Sequence, residues 1–458
     1  MLPGMETAKR FFGEKTLQQL LRYLQTNPLK KLSNILELAS KAALLSDHRD
    51  KIRTIRDAYN INPAVKEFIR RIFIELDENV RYRLLFNYFV NASLIGVPKQ
   101  HRLSAELGVS VPFTILIDPT SNCNLRCQGC WAGAYEKHHT LSFEEVDRIV
   151  SEAKELGIHF ITMSGGEPLL WPHLLDLAQK HSDVAFMLYT NGTLIDAQMA
   201  RRMREAGNIS PAISLEGWRE TTDRRRGKGV FDRVMAAMDH LKENGVAFGI
   251  SVTVTRHNWE ELFSDQFIDM IIEKGALYGW SFHYIPIGSN PDFDLMLTPE
   301  QREALVRRVR HIRTHKPIQI ADFWNDGHLT GGCIAGGRRY FHINARGDVE
   351  PCAFVHFAVD TIFGKSLVEI LQNPIFKAYQ KRLPFSDNLL RPCPLIDVPE
   401  ALREIVGESG AKETHPGAAA ILEGEHARTM DRVAANWKQR ADRIWEADTA
   451  KSQLAAES

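Results

Sequence analysis

The chain has 458 residues, 44% hydrophobic and 25% charged, enough apolar material for two or three domains with large cores. Its 57 basic and 57 acidic residues cancel, which excludes a global field for nucleic acid, and no apolar run approaches the roughly 20 residues that span a bilayer. Six cysteines behind a start, Met1-Leu2-Pro3-Gly4, that opens no signal peptide point to a reducing, cytoplasmic setting.

Residues 1–110 read as a helical region. Leu17, Leu20, Leu21 and Leu24 form one apolar stripe, and Leu84, Leu85, Phe86, Tyr88, Phe89 and Val90 a denser run. Such stripes ordinarily pack on a core. The region also holds 18 Lys and Arg against 11 Asp and Glu, so peripheral contact with an anionic inner-membrane surface is a second expectation.

From residue 111, short β-rich runs alternate with amphipathic helices, the pattern of parallel βα units. Strands are expected at 113–118, 160–164, 185–190, 209–215, 248–254 and 277–284. Ser142-Phe143-Glu144-Glu145 and Thr298-Pro299-Glu300-Gln301 read as capping boxes that start helices. Six such units make an α/β fold, a partial (β/α)6 TIM-type barrel over residues 111–316. Its active site belongs at the C-terminal ends of the strands.

Just after the first strand comes Asn122-Cys123-Asn124-Leu125-Arg126-Cys127-Gln128-Gly129-Cys130-Trp131. A CxxxCxxC loop is too short to present three sulfurs on a helix face, so it must wrap them around one compact object. Thiolate is the usual protein ligand of iron–sulfur clusters, and three sulfurs leave one iron of a cubane open. The competing reading is a zinc site completed by His138 or His139, in a metal-binding protein without catalysis. After the second strand, Gly165-Gly166-Glu167-Pro168 lets a ligand approach the backbone and offers a carboxylate to an ammonium group.

Taken together, Cys123, Cys127 and Cys130, then Gly165-Gly166-Glu167-Pro168, Thr190-Asn191-Gly192 and Ser214-Leu215-Glu216-Gly217, resemble the radical S-adenosylmethionine (SAM) superfamily. The resemblance implies a [4Fe-4S] cluster whose open iron takes the methionyl amine and carboxylate of SAM. It implies Gly165, Gly166, Glu167, Asn191, Ser214 and Glu216 as cofactor-binding residues, Gly166 and Glu167 holding the amino group, Ser214 and Glu216 lying near the ribose or carboxylate. Reductive cleavage of SAM to methionine and a 5′-deoxyadenosyl radical follows, with an electron donor such as flavodoxin or ferredoxin. Family members often carry an aromatic residue before the third cysteine; this chain has Gly129 there and Trp131 after it, a glycine variant found among relatives in hopanoid biosynthesis.

Arg224, Arg225 and Arg226, after the fourth strand, suit either a solvated loop or an anion clamp. Further on, Phe282-His283-Tyr284 and Asp322-Phe323-Trp324-Asn325-Asp326-Gly327-His328 place titratable and aromatic groups where a substrate could lie, and nominate His283, Tyr284 and His328 as catalytic candidates. Cys333, Cys352 and Cys393 surround a hairpin turning at Ala345-Arg346-Gly347-Asp348. This resembles the SPASM or twitch extension and implies, over residues 317–398, an auxiliary [4Fe-4S] cluster. Its fourth ligand is expected to be His356, Asp397 or the substrate; the plain alternative is three buried structural thiols. Residues 399–458 read as a polar linker and a C-terminal helix. The expected reaction modifies an unactivated C–H or C=C position of a lipid or other apolar small molecule, the alternative being a peptide or protein, as in peptide-maturing SPASM enzymes.

Overall fold

The computed structural model describes residues 46–457 together with 32–34, 36–37 and 40–41, so the stripe of Leu17, Leu20, Leu21 and Leu24 lies outside the described residues. Seven strands, β1 Thr114–Ile117, β2 Phe160–Met163, β3 Ala185–Thr190, β4 Ile209–Ser214, β5 Gly249–Val254, β6 Tyr278–His283 and β7 Gln319–Asp322, run parallel in chain order. Helices cover their outer face, which is why strands such as β1 and β3 read as nearly continuous apolar runs. All six expected strands are present. The seventh carries the parallel sheet past residue 316, where the barrel was expected to end.

The sheet does not close on itself. The outer edge of β1 is taken instead by β8 His342–Ile343, which pairs with it in parallel, Leu116 opposite His342. Strand β8 turns back at Gly347 (φ 85°) into β9 Asp348–Glu350, forming the expected hairpin. Beyond it, β10 Phe357–Ala358 leads to β11 Asp360–Thr361, which lies antiparallel to β9. The C-terminal extension therefore continues the barrel's own sheet.

The N-terminal helices Ser46–Ile61, Pro63–Glu75 and Glu78–Leu85 run on through a π-helical stretch, Phe86–Gly96, into Val97–Leu107. Asn62 starts the second of them by accepting the backbone N–H of Ala64 at 2.8 Å, with Pro63 at the first helical position. Arg71, buried, donates to the carbonyls of Ala276 and Pro317 at 3.0 Å and so fixes this region to the barrel wall. Tyr88 sets its ring edge against Phe113 and Phe160. Within the apolar run Phe86 and Val90 are buried, and Tyr88, though 41% exposed, packs at the N-terminal ends of β1 and β2. Ile61 and Phe89 nonetheless stand 81% and 53% exposed on this front. No helix among the described residues is long and apolar enough to cross a membrane.

The expected linker after residue 399 is instead ordered structure. Helix Pro399–Ser409 buries Leu402, Ile405 and Val406, an i, i+3, i+4 set masked by the polar residues around it. β12 Lys412–Glu413 pairs with β10, and Thr414 and His415 are buried. In the final helix, Gly424–Glu457, Trp437 donates its indole N–H to Leu390 O at 3.1 Å and receives the Arg302 guanidinium 4.2 Å above its ring.

Candidate active site

The loop after β1 is closed at its base by Thr120 and Thr140, whose hydroxyls meet at 2.9 Å, and by the Ser121 N–H on His139 O. Gly165 and Gly166 lie against its back. A Cβ on Gly166 would fall 2.1 Å from Asn122 O and 2.4 Å from Ser121 O, so only glycine allows this approach. The backbone N–H groups of Gly166 and Glu167 donate to Thr120 O and Asn122 O, locking turn to loop.

Cys123, Cys127 and Cys130 are free thiols and line one cavity at the C-terminal ends of the strands. Burial pushes the Cys123 and Cys127 thiols above their ordinary range. Arg226 Nη1, 3.9 Å from Cys127 Sγ, opposes this, and Asn191 Nδ2 stands 4.0 Å from Cys123 Sγ. Three half-buried sulfurs, two of them with donors beside them, fit a cluster whose metal charge drives the thiols to thiolate. His138 and His139 do not turn to the sulfurs; both meet Glu136 at the surface, at 3.4 and 3.1 Å, so a zinc site completed by either has no support in the side-chain positions.

Of the expected cofactor-binding residues, Gly165, Gly166, Asn191 and Ser214 line this cavity. Glu167 and Glu216 lie behind its wall. Glu167, fully buried, accepts from Thr190 Oγ1 at 2.6 Å and from the N–H groups of Asn191 (2.8 Å) and Leu169 (3.1 Å). Glu216 takes Arg225 Nη1 at 2.6 Å and Arg226 Nε at 2.8 Å. A carboxylate out of water needs its lone pairs filled, and these partners fill them, so neither is turned to a ligand in the cavity. The residues that Glu216 presents there are Arg225 and Arg226, which resolves the arginine run as part of the site. Arg224 is not in the wall.

Farther in, the cavity is aromatic. Trp280 and Phe282 stack (6.1 Å, 9°), Tyr189 stands edge-on to both, and Phe323 and Phe354 pack against Phe282. Phe282 and Phe323 belong to the stretches that the sequence places by a substrate; Tyr189, Trp280 and Phe354 were not singled out, although Trp280 and Phe282 sit at alternate positions of one strand, the signal for a shared face. His283 and Tyr284 also line the cavity. His283 Nε2 lies 3.2 Å from Asp322 Oδ1, and its ring stacks on Trp324 (5.5 Å, 22°). Tyr284 occupies the space beside Gly129: a Cβ there would meet its ring at 2.6 Å, and Gly129 itself has φ 61°. An aromatic ring therefore flanks the third cysteine from β6 instead of from the loop. His328 sits on the short helix Gly327–Thr330, away from the cavity wall.

The extension supplies Ile334, Tyr340, Ala353 and Phe354 to the same cavity. Behind this wall lie Cys333, Cys352 and Cys393. Burial pushes Cys352 up to about 11 and Cys393 up to about 12, and raises Cys333 well above its ordinary value. Tyr340 Oη rests 2.7 Å from Cys352 Sγ. Asp397 bonds Arg302 Nη1 through one oxygen (2.6 Å) and the Cys393 N–H through the other (3.1 Å). His356 meets Ala353 O through Nε2 and His415 through Nδ1, at 2.9 and 2.6 Å.

Residues 117–265 match the family model for the radical SAM superfamily, and residues 333–394 that of SPASM, an iron–sulfur cluster-binding domain. Over 203 residues the chain is 30% identical to Fe-coproporphyrin III synthase of Methanosarcina barkeri, covering 42% of this chain and 50% of the synthase. It thus spans about half the length of that relative. It is 29% identical over 264 residues to the mycofactocin maturase MftC of Mycolicibacterium smegmatis, covering 54% of this chain and 66% of MftC. The solved structure of Streptococcus suis SuiB bound to S-adenosylmethionine is similar in fold, with a TM-score of 0.55 at 19% identity, covering 66% of this chain and 76% of SuiB.

Proposed function

Since the chain carries a radical SAM domain joined to a SPASM domain, we propose that it is an enzyme that cleaves SAM at a [4Fe-4S] cluster held by Cys123, Cys127 and Cys130 and modifies an unactivated C–H or C=C position of an apolar small molecule or lipid. The cluster supplies an electron when bound, and SAM the 5′-deoxyadenosyl radical. All other tasks fall to the chain. Asn191 and Arg226 place donors beside the sulfurs. Gly165 and Gly166 give up their bare side to the cysteine loop and not to a ligand; the methionyl end of SAM is assigned to the wall that they line with Asn191 and Ser214. Trp280, Phe282, Phe323 and Phe354 hold an apolar substrate and keep water from the radical. His283, with Asp322 3.2 Å from its Nε2, lines the same cavity and is assigned proton exchange with the substrate.

The observation that supports this reading is that the three thiols and the aromatic wall share one cavity, which the extension helps to enclose. A second reading, a peptide substrate presenting an aromatic side chain, draws on the likeness to the maturase MftC. The test is anaerobic reconstitution with dithionite and SAM, followed by fractions of host-cell lipids, small molecules or peptides. We expect lipid or small-molecule fractions to raise 5′-deoxyadenosine release. Stimulation by peptides alone moves the assignment to the second reading; no release under any condition removes both.

We assign electron delivery to a flavodoxin or ferredoxin. We also place peripheral membrane contact on the helical front that exposes Ile61 and Phe89. Co-sedimentation of the full chain with anionic liposomes tests that contact, and recovery in the supernatant at low salt excludes it.

A further inference from the structure

Three thiols leave one corner of a cubane without a protein ligand. Two phenols pack on the segments that carry Cys333 and Cys352. The hydroxyl of Tyr340 is committed to Cys352 Sγ. That of Tyr379 differs: the residue is 0% exposed, yet its Oη has no hydrogen-bond partner. A dry, unpaired hydroxyl costs about 1–3 kcal/mol, and this one belongs to a ring packed on the loop that follows Cys333. The loop under this ring is tied to the segment of the second sulfur, the Gly336 N–H donating to Pro351 O at 2.9 Å beside Cys352.

The surrounding chain holds Tyr379 in place. It lies on helix Pro374–Lys381, whose Gln380 donates through Nε2 to Gly336 O at 2.9 Å. Gly336, three residues beyond Cys333, has φ 66°, and a Cβ there would strike Tyr379 Cβ at 2.5 Å. The loop that carries the first sulfur is therefore built to receive this ring. The two side chains that the sequence nominates as fourth ligand are already engaged, Asp397 by Arg302 and the Cys393 N–H, His356 by Ala353 O and His415.

We propose that Tyr379 Oη is the fourth protein ligand of the auxiliary cluster, completing a Cys3Tyr set with Cys333, Cys352 and Cys393. The proposal rests on reading those cysteines as cluster ligands. On coordination the phenol gives its proton to solvent as the iron–oxygen bond forms, as each thiol does at its own iron. With its fourth corner closed, this cluster does not ligate the substrate.

The experiment uses the full chain with C123S, C127S and C130S, so that only the auxiliary cluster is reconstituted, at about four irons per chain. Resonance Raman spectra are compared for this parent and for the same chain with Tyr379→Phe or Tyr340→Phe. We expect phenolate ring modes in the parent and in the Tyr340→Phe protein, and their loss in Tyr379→Phe together with a changed EPR spectrum of the reduced cluster. Modes absent from an iron-loaded parent, or persisting in Tyr379→Phe, overturn the assignment of Tyr379 alone. A parent that takes up no iron overturns the reading of the three cysteines as well. In the metal-free state Tyr379→Phe should melt no lower than the parent, because it removes an unpaired oxygen. A large drop there makes the hydroxyl structural and overturns the proposal.

Discussion

His342 Nε2 lies 2.9 Å from Asp118 Oδ2, with side-chain exposures of 0% and 3%. Asp118 follows β1 and His342 begins β8, so this contact ties the end of the first barrel strand to the extension. The other ring nitrogen lies 2.7 Å from Glu350 Oε2 in β9. Burial opposes a charge on the imidazole, but the two carboxylates outweigh it and raise its pKa to about 10.

Stability should therefore fall in alkali. The folded pKa lies above the unfolded value of about 6.5, so the contribution of His342 is fully present below that value and is lost as pH rises through about 10. His342→Gln leaves two carboxylates buried without their cation. It should cost about 3–5 kcal/mol near neutral pH and flatten the slope between neutral pH and 10. Urea unfolding across that range checks both; an unchanged slope in His342→Gln rules out the linkage.

The two cysteine sets should fail separately. Cys127→Ala should lose about four irons and all 5′-deoxyadenosine formation, whereas Cys352→Ala should lose the other four and still cleave SAM. Iron and sulfide assays beside chromatography of the cleavage products measure this. Loss of both clusters in either variant contradicts the division.

Gly166→Ala should displace the cysteine loop, because the added methyl meets fixed backbone carbonyls. The expected result is a folded protein, unchanged in far-UV circular dichroism, with its SAM-cleaving cluster reduced or absent. Gly407→Ala serves as the control: it lies in helix Pro399–Ser409 with nothing within 4 Å of its Cβ, and should add roughly 0.5–1 kcal/mol. A fully loaded Gly166→Ala protein would count against the packing argument.

Arg226 should matter through both of its partners. Arg226→Ala leaves Glu216 with Arg225 and the Thr253 N–H and removes a cation beside Cys127, so we expect a loss of about 1–3 kcal/mol and faster removal of iron by a chelator. Arg226→Lys keeps the charge but not the fork that grips Glu216, and should fall between the two. Equal chelation rates in all three proteins would show that Arg226 has no hold on the cluster.

How much of this was legible in sequence follows from which interactions are local. The strand order, the cysteine loop and the hairpin at Gly347 carry short-range signals, namely apolar period, spacing and turn residues. The direction in which Glu167 and Glu216 point does not, since it depends on Thr190, Asn191 and two arginines arriving from later elements. Tyr379 had no local mark either: it lies 27 residues beyond Cys352 on an ordinary amphipathic helix, and only folding sets it against the loop after Cys333. The seventh strand was missed because Gln319–Asp322 is four residues long and mixed in polarity.

The pairing of β8 with β1 has a consequence for biosynthesis. As the polypeptide leaves the ribosome, the catalytic half emerges first with a raw seam along β1, which among the described residues no strand covers until residue 343 has been made. Such a seam recruits stray strands. The extension is thus a late-arriving guard for its own upstream neighbour, and a gene cut between the two should yield inclusion bodies where the intact reading frame yields dissolved protein.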